Sequence, residues 1–373
     1  MGCASLVETL HALGGDGPKE LDMKISRCCL LLVPVVCFSF SCSLEPETVF
    51  EPEIVTLPAD PNDYAPLTTY EAMIIPEDNP MSSEKVTLGK QLFFDKRMSG
   101  DGKLSCYSCH VCESGLTDGR PTAVGAFEKQ LTRNSPTLWN IGYHAEFYWD
   151  GRAKTLEAQA FAAWKGGNMG ASPDEVVTQL NTITGYKSQF KKVFEEEATP
   201  GNVSKALAAY MRTIISQDTP WDRWQAGDED AVSEASKRGY TVFKEANCNN
   251  CHDGVLFTDL QYHNVGVGME AEKPDVGRFK VTQVESDTGA FKTPTLRDIS
   301  QSGPYFHDGS VATLEEAVDF MLGGGQKNPY LDKENLEKVE LNASEREDLL
   351  EFLKSLDQPC NLIEPPLPPG SAE

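Results

Sequence analysis

Two copies of one five-residue pattern, Cys106-Tyr107-Ser108-Cys109-His110 and Cys248-Asn249-Asn250-Cys251-His252, constrain this chain more than any other feature. Each sets two thiols at a spacing that suits the two vinyl groups of a haem, and puts a histidine beside the second thiol to reach the iron. The pattern therefore specifies an axial ligand as well as a covalent tether, and two copies mean two c-type haems. With 11 Cys and 6 His in 373 residues, chance supplies only about 0.005 copies per chain. A bare CxxC also serves as a redox dithiol or half of a zinc site. A dithiol, however, needs no following His, and zinc needs four ligands brought together.

The length suggests two domains, one haem in each. Lys and Arg total 33 against 57 Asp and Glu, a net charge of -24, which excludes nucleic acid as a partner and favours a basic protein. Lys24 and Arg27 precede an apolar run from Cys28 to Phe40, the layout of an export signal whose translation is expected to start at Met23. The run is too short for a comfortable transmembrane helix. Cys42 closes it and is a candidate for a lipid anchor, although Ser39, three positions earlier, is atypical of a bacterial lipobox; ordinary cleavage is the alternative. Residues 1–42 are thus read as a leader and 43–80 as an acidic, proline-containing tether, which places the protein in the periplasm or on the outer face of the membrane. Five of the cysteines fall in the leader and four in the motifs. Cys112 and Cys360 remain, and in an oxidising compartment they either form a disulfide or stay two unrelated thiols.

Apolar residues recur at helical spacing, as in Val203, Leu207, Met211 and Ile214, and no strong strand alternation appears, so the fold is expected to be mainly α with two cytochrome c-like domains. Ser172-Pro173-Asp174-Glu175 and Thr313-Leu314-Glu315-Glu316 read as capping boxes, and Ser344 with Glu347 as the start of a last helix. The break at Asp218-Thr219-Pro220 divides an N-terminal domain, 81–218, from a C-terminal one, 219–360. The halves look like a divergent repeat: Leu92-Phe93-Phe94 precedes the first motif, and Tyr240, Val242 and Phe243 precede the second. Residues 361–373, with Pro365-Pro366 and Pro368-Pro369, read as a disordered tail.

From Leu88 to Leu356 the chain resembles the bacterial dihaem cytochrome c peroxidase and MauG superfamily. The resemblance is carried by Leu88-Gly89-Lys90, Leu92-Phe93-Phe94-Asp95, the two CxxCH motifs, Arg133-Asn134-Ser135-Pro136-Thr137, Trp149-Asp150-Gly151-Arg152-Ala153, Lys292-Thr293-Pro294-Thr295-Leu296-Arg297 and Pro304-Tyr305-Phe306-His307-Asp308-Gly309. It implies that Met321 is the distal ligand opposite His252, where MauG-type oxidases of protein residues carry Tyr. A thioether raises the potential of its haem, which suits electron entry. Val111 to Tyr143 contain no His to cap the first iron, and His144 is poorly placed, so the His110 haem is expected to be five-coordinate or water-bound.

The same resemblance implies that Gln159 and Trp149 serve the peroxide site and the relay between the haems. It also puts Asn168 where the family has Glu. An amide can hydrogen-bond peroxide but cannot act as a base, and Glu157, two helical positions from Gln159, points elsewhere. Asn134, Ser302 and Pro304 match the oxygen donors of an interdomain calcium. His307 is expected to be a structural hydrogen-bonder, and His263 has no assigned role. The activity implied is reduction of hydrogen peroxide by electrons from a small cytochrome c or cupredoxin. A MauG-like oxidase and a non-catalytic dihaem carrier are the alternatives, and a homodimer is compatible with the resemblance.

Overall fold

The computed structural model describes residues 73–371. The leader, Cys42 and all but the last residues of the tether lie outside them. No helix among the described residues is long and apolar enough to cross a membrane.

Two apolar cores organise the chain. The first draws its buried residues from Val86 to Ile214 and the second from Trp221 to Leu356. Around the first lie α1 (Ser83–Phe94), α2 (Leu156–Lys165), α3 (Pro173–Leu180), α4 (Thr184–Phe194) and α5 (Pro200–Met211). Around the second lie α6 (Pro220–Gln225), α7 (Glu234–Glu245), α8 (Phe279–Thr282), α9 (Leu314–Leu322) and α10 (Ala343–Lys354). The described sheet is limited to two antiparallel pairs, β1 (Val124–Gly125) with β2 (Lys129–Gln130) and β3 (Tyr262–His263) with β4 (Phe291–Lys292).

The repeat seen in the sequence has a packing basis. In the first half α1 lies on α5, and in the second α7 lies on α10. Each crossing is centred on a glycine: a Cβ at Gly89 would overlap Ala206 O, and one at Gly239 would overlap Asp348 O. Removing the side chain lets the two backbones approach. The aromatic residues that follow, Phe93 and Phe243, are then fully buried beneath each motif. At about 1.5–3 kcal/mol for each large apolar side chain removed from water, these contacts fix both helices that lead into the motifs.

Helix starts follow the capping signals in part. Thr313 accepts from Glu316 N at 3.2 Å and Glu316 returns the bond to Thr313 N at 3.2 Å, opening α9. At α3 the box does not close, because the Ser172 side chain makes no cap bond; Pro173 and the acidic Asp174 and Glu175 support the first turn instead. The last helix begins at Ala343, with Asn342 as its cap and Glu345 closing the box at 3.0 and 2.9 Å. The expected start at Ser344 and Glu347 is therefore displaced, since Asn342-x-x-Glu345 offers the same reciprocal bonds two residues earlier.

The proline-containing end is not a free tail over its described residues. Cys360 is disulfide-bonded to Cys112, with Cα atoms 5.3 Å apart. Leu362 packs on the first core, Pro366 O accepts from Gln91 Nε2 at 3.5 Å, and Pro369 O accepts from Gly185 N at 2.7 Å. Proline lacks an N–H but keeps its carbonyl, and here those carbonyls dock the segment.

Candidate functional site

Each CxxCH sits on a single 3-10 turn, Cys106–Ser108 and Cys248–Asn250. Ser105 and Ser108 brace the first turn by exchanging cap bonds. His110 Nδ1 donates to Leu116 O at 2.9 Å and His252 Nδ1 donates to Phe257 O at 3.0 Å. Each bond orients its ring and leaves Nε2 as the nitrogen with the free lone pair. Burial holds both imidazoles below their usual range and therefore neutral. Burial also pushes the thiols up, to about 12 at Cys106, about 11 at Cys109 and about 12 at Cys248. These are poor settings for thiolate chemistry. Neither motif closes a disulfide on itself, so both sulfurs of each pair are open to thioether bonds.

Around His110 lies a cavity of about 520 Å³. Gln159, Asn168 and Trp149 all line it, together with Cys106 and Cys109. Among the described residues His110 is the only histidine on its wall. His144 is buried elsewhere, with Nδ1 3.1 Å from Lys292 Nζ. Glu157, as its helical position implied, is turned away from the cavity: its Oε1 accepts from Arg212 Nη1 and from Asn79 Nδ2, both at 2.7 Å. Two carboxylates do line the cavity, and both are held in ion pairs. Asp150 bonds Arg133 and Arg152. Asp275 bonds Arg133 and Lys280, and these cations keep it well below the usual carboxylate range against the opposing effect of burial.

A second cavity of about 220 Å³ surrounds His252. Met321, on α9, lines it with Cys248 and Cys251. So does His263, which had no role in the sequence. Its Nδ1 bonds Asp332 at 2.5 Å and its Nε2 bonds Asp259 at 2.9 Å. Cys251, Asp332 and Asp259 push this ring up to about 10, and the Cys251 part of that shift would be lost once its sulfur is tied up as a thioether, leaving the two carboxylates. His307 also lines the cavity. Its ring stacks on Phe291 at 3.6 Å, and the hydrogen bond it contributes is through its backbone, whose oxygen accepts from Asn134 N at 2.8 Å.

Between the two lies a pocket of about 90 Å³ lined by Asn134, Ser302 and Pro304. The Asn134 amide donates from Nδ2 to Arg120 O at 2.8 Å and to Pro304 O at 3.3 Å. Trp149 lines this pocket and both larger cavities, and its Nε1 donates to Asn134 O at 3.0 Å. The donor chemistry of the two large cavities fits c-type haem: paired free thiols, a neutral histidine with an oriented ring and a largely apolar wall. The pairing of Lys292 with His144 beside Trp149 escaped the sequence reading, because 148 residues separate the partners.

A family model described as di-haem cytochrome c peroxidase matches residues 83–230, and one described as cytochrome c matches residues 236–357. The methylamine utilization protein MauG of Methylorubrum extorquens is 40% identical over 305 residues, covering 80% of this chain and 85% of that protein. The cytochrome c551 peroxidase of Nitrosomonas europaea is 37% identical over 298 residues, covering 78% of this chain and 86% of that protein. Among solved structures, a MauG-like protein associated with microbial copper homeostasis aligns with a TM-score of 0.72 and 34% identity, over 80% of this chain and 96% of that one.

Proposed function

Because this chain belongs to the di-haem cytochrome c peroxidase and MauG family, an oxidoreductase family whose two cytochrome c-like domains carry two c-type haems, we propose that it reduces hydrogen peroxide to water with electrons from a small cytochrome c or cupredoxin. Residues 81–218 form the peroxidatic domain and 219–360 the electron-entry domain. When bound, the haem held by Cys106, Cys109 and His110 would supply an open iron position for peroxide, and the one held by Cys248, Cys251, His252 and Met321 a one-electron store. The observation that carries a peroxidase over a protein oxidase is Met321 on the wall of the His252 cavity.

In the first cavity the Gln159 and Asn168 amides donate N–H to a peroxide oxygen and accept its O–H. Neither takes the proton away, and the carboxylates nearby are committed to arginine and lysine. Turnover is therefore limited by proton movement between the two peroxide oxygens. Trp149 passes electrons from the second cavity to the first, since its indole walls both. Asn134, Ser302 and Pro304 would hold calcium through oxygen donors, which requires the Asn134 amide to rotate, since its Nδ2 donates to Pro304 O. The net charge of -24 steers a basic donor. Export places the reaction in the periplasm or on the outer face of the membrane, with Cys42 as the anchor point where the leader is not simply cleaved.

The test is to mix purified protein carrying both haems with peroxide, with and without a reduced donor. Donor-dependent peroxide loss is expected. A long-lived oxidised protein with no donor turnover would instead establish a MauG-like oxidase, the reading that Asn168 permits and Met321 argues against, and inertness would leave a dihaem electron carrier. A six-coordinate low-spin signal from the His110 haem in the ferric protein would overturn the open first site.

A further inference from the structure

We infer that Lys292 is a fixed positive charge acting on the relay, one that keeps the electron hole from resting on Trp149 and raises the potential of the haem held by His252. The inference rests on the peroxidase reading above for the first effect and is independent of it for the second.

Lys292 lies on β4, and its backbone N–H donates to Trp149 O at 2.8 Å, which ties the two residues together. Its side chain is buried, with Nζ donating to Glu146 O at 2.6 Å and to His144 Nδ1 at 3.1 Å. Both partners are neutral acceptors, and among the described residues no carboxylate oxygen pairs with this ammonium. The acids around it are engaged by other cations: Glu146 by Lys154 and Arg278, and Asp150 by Arg133 and Arg152. Lys292 lines the His252 cavity and, with Trp149, the small pocket between the haems.

His144 supports the charge. Accepting from the ammonium at Nδ1 fixes its proton on Nε2, which is buried, has no partner among the described residues and belongs to the wall of the small pocket. Burial and the adjacent Lys292 hold this imidazole well below its usual range, whereas burial brings Lys292 down only to about 8. At neutral pH the pair is thus an ammonium beside a neutral ring.

The consequence concerns what Trp149 does with its proton. When one electron leaves the indole toward the peroxide-oxidised His110 side, the N–H faces Asn134 O, a carbonyl that cannot accept a proton. The oxidised indole keeps its proton and becomes a cation on the same pocket walls as a second buried cation. In a space shielded from water the two repel strongly. An electron from the His252 side then restores the indole, so Trp149 conducts without storing the hole.

The test uses full-length holoprotein with Lys292→Met, Lys292→Gln and Lys292→Arg. Gln keeps a donor for His144 without the charge, and Arg keeps the charge. Potentiometric titration should show a negative shift of the second haem in the Met and Gln variants and a return toward wild type in Arg. After peroxide without donor, paramagnetic resonance should find an indole radical in the neutral variants that the wild type does not hold, and Trp149→Phe should abolish it. Unchanged potentials in Met and Gln variants with full haem content would overturn the inference, as would an equal, non-zero radical yield in all variants. Wild-type inertness to peroxide would sink the peroxidase reading alone, because the potentiometric result decides the role of Lys292 without peroxide.

Discussion

Asn168 stands where the family resemblance implies a Glu. It lines the first cavity opposite no free base, since Glu157 is spent on Arg212 and Asn79, and Asp150 and Asp275 are spent on arginine and lysine. Asn168→Glu should restore a proton carrier and raise the rate of peroxide reduction by about 100-fold, the lower end of what a positioned acid or base contributes. Stopped-flow mixing with peroxide measures it, and an unchanged rate would mean proton transfer is not limiting. Covalent chemistry made the haem residues legible in the sequence: thioether bonds and a neighbouring ligand demand a fixed local spacing. The same could not hold for Lys292 and His144, or for His263 between Asp259 and Asp332. The Lys292–His144 and His263–Asp332 contacts join residues 148 and 69 positions apart and have no local signature, and Asp259, four positions before His263, lies outside any helix whose spacing would have paired them.

At the scale of elements, the two haem-bearing halves share a helix crossing closed on a glycine. The sequence displayed the aromatic residues of that repeat and the helical stripes, because periodicity reports burial. It did not reveal that Gly89 and Gly239 mark where α5 and α10 cross, since a lone glycine in a helix pattern has many readings. Gly239→Ala gains about 1 kcal/mol of helix propensity but drives a methyl into Asp348 O. The protein should lose about 1–3 kcal/mol net, visible as a lower denaturant midpoint, with haem absorbance near the second motif perturbed before the first. Capping signals were readable only to the extent that competing caps were absent: Asn342 took the role expected of Ser344.

Over the whole molecule, the junction between the halves is stitched by buried polar groups. Ser216 Oγ donates to Asp298 Oδ2 at 2.6 Å, Gln358 N donates to Asp298 Oδ1 at 2.8 Å, and Gln358 Nε2 donates to Ile215 O at 2.9 Å. Burial raises the Asp298 carboxyl to about 7, against the lowering effect of these bonds. The folded protein therefore holds this proton up to about 7, while an unfolded Asp releases it near 3.9. The resulting stability is present in full below about 4 and is lost as pH rises to about 7, an effect on the order of a few kcal/mol. Asp298→Asn should flatten the pH dependence of unfolding across that window while leaving Ser216 and Gln358 partners. Equal slopes for both proteins in denaturant titrations would refute it.

The docked end of the chain has one more consequence, and it is topological. The bond between Cys112 and Cys360 joins positions 248 residues apart, so the second core, the 218–220 break and everything between are enclosed in a single covalent ring. A protease that cuts the connection between the halves would open that ring without dividing the molecule. The two haems would stay on one covalent body, separable only when a reductant reaches the sulfurs.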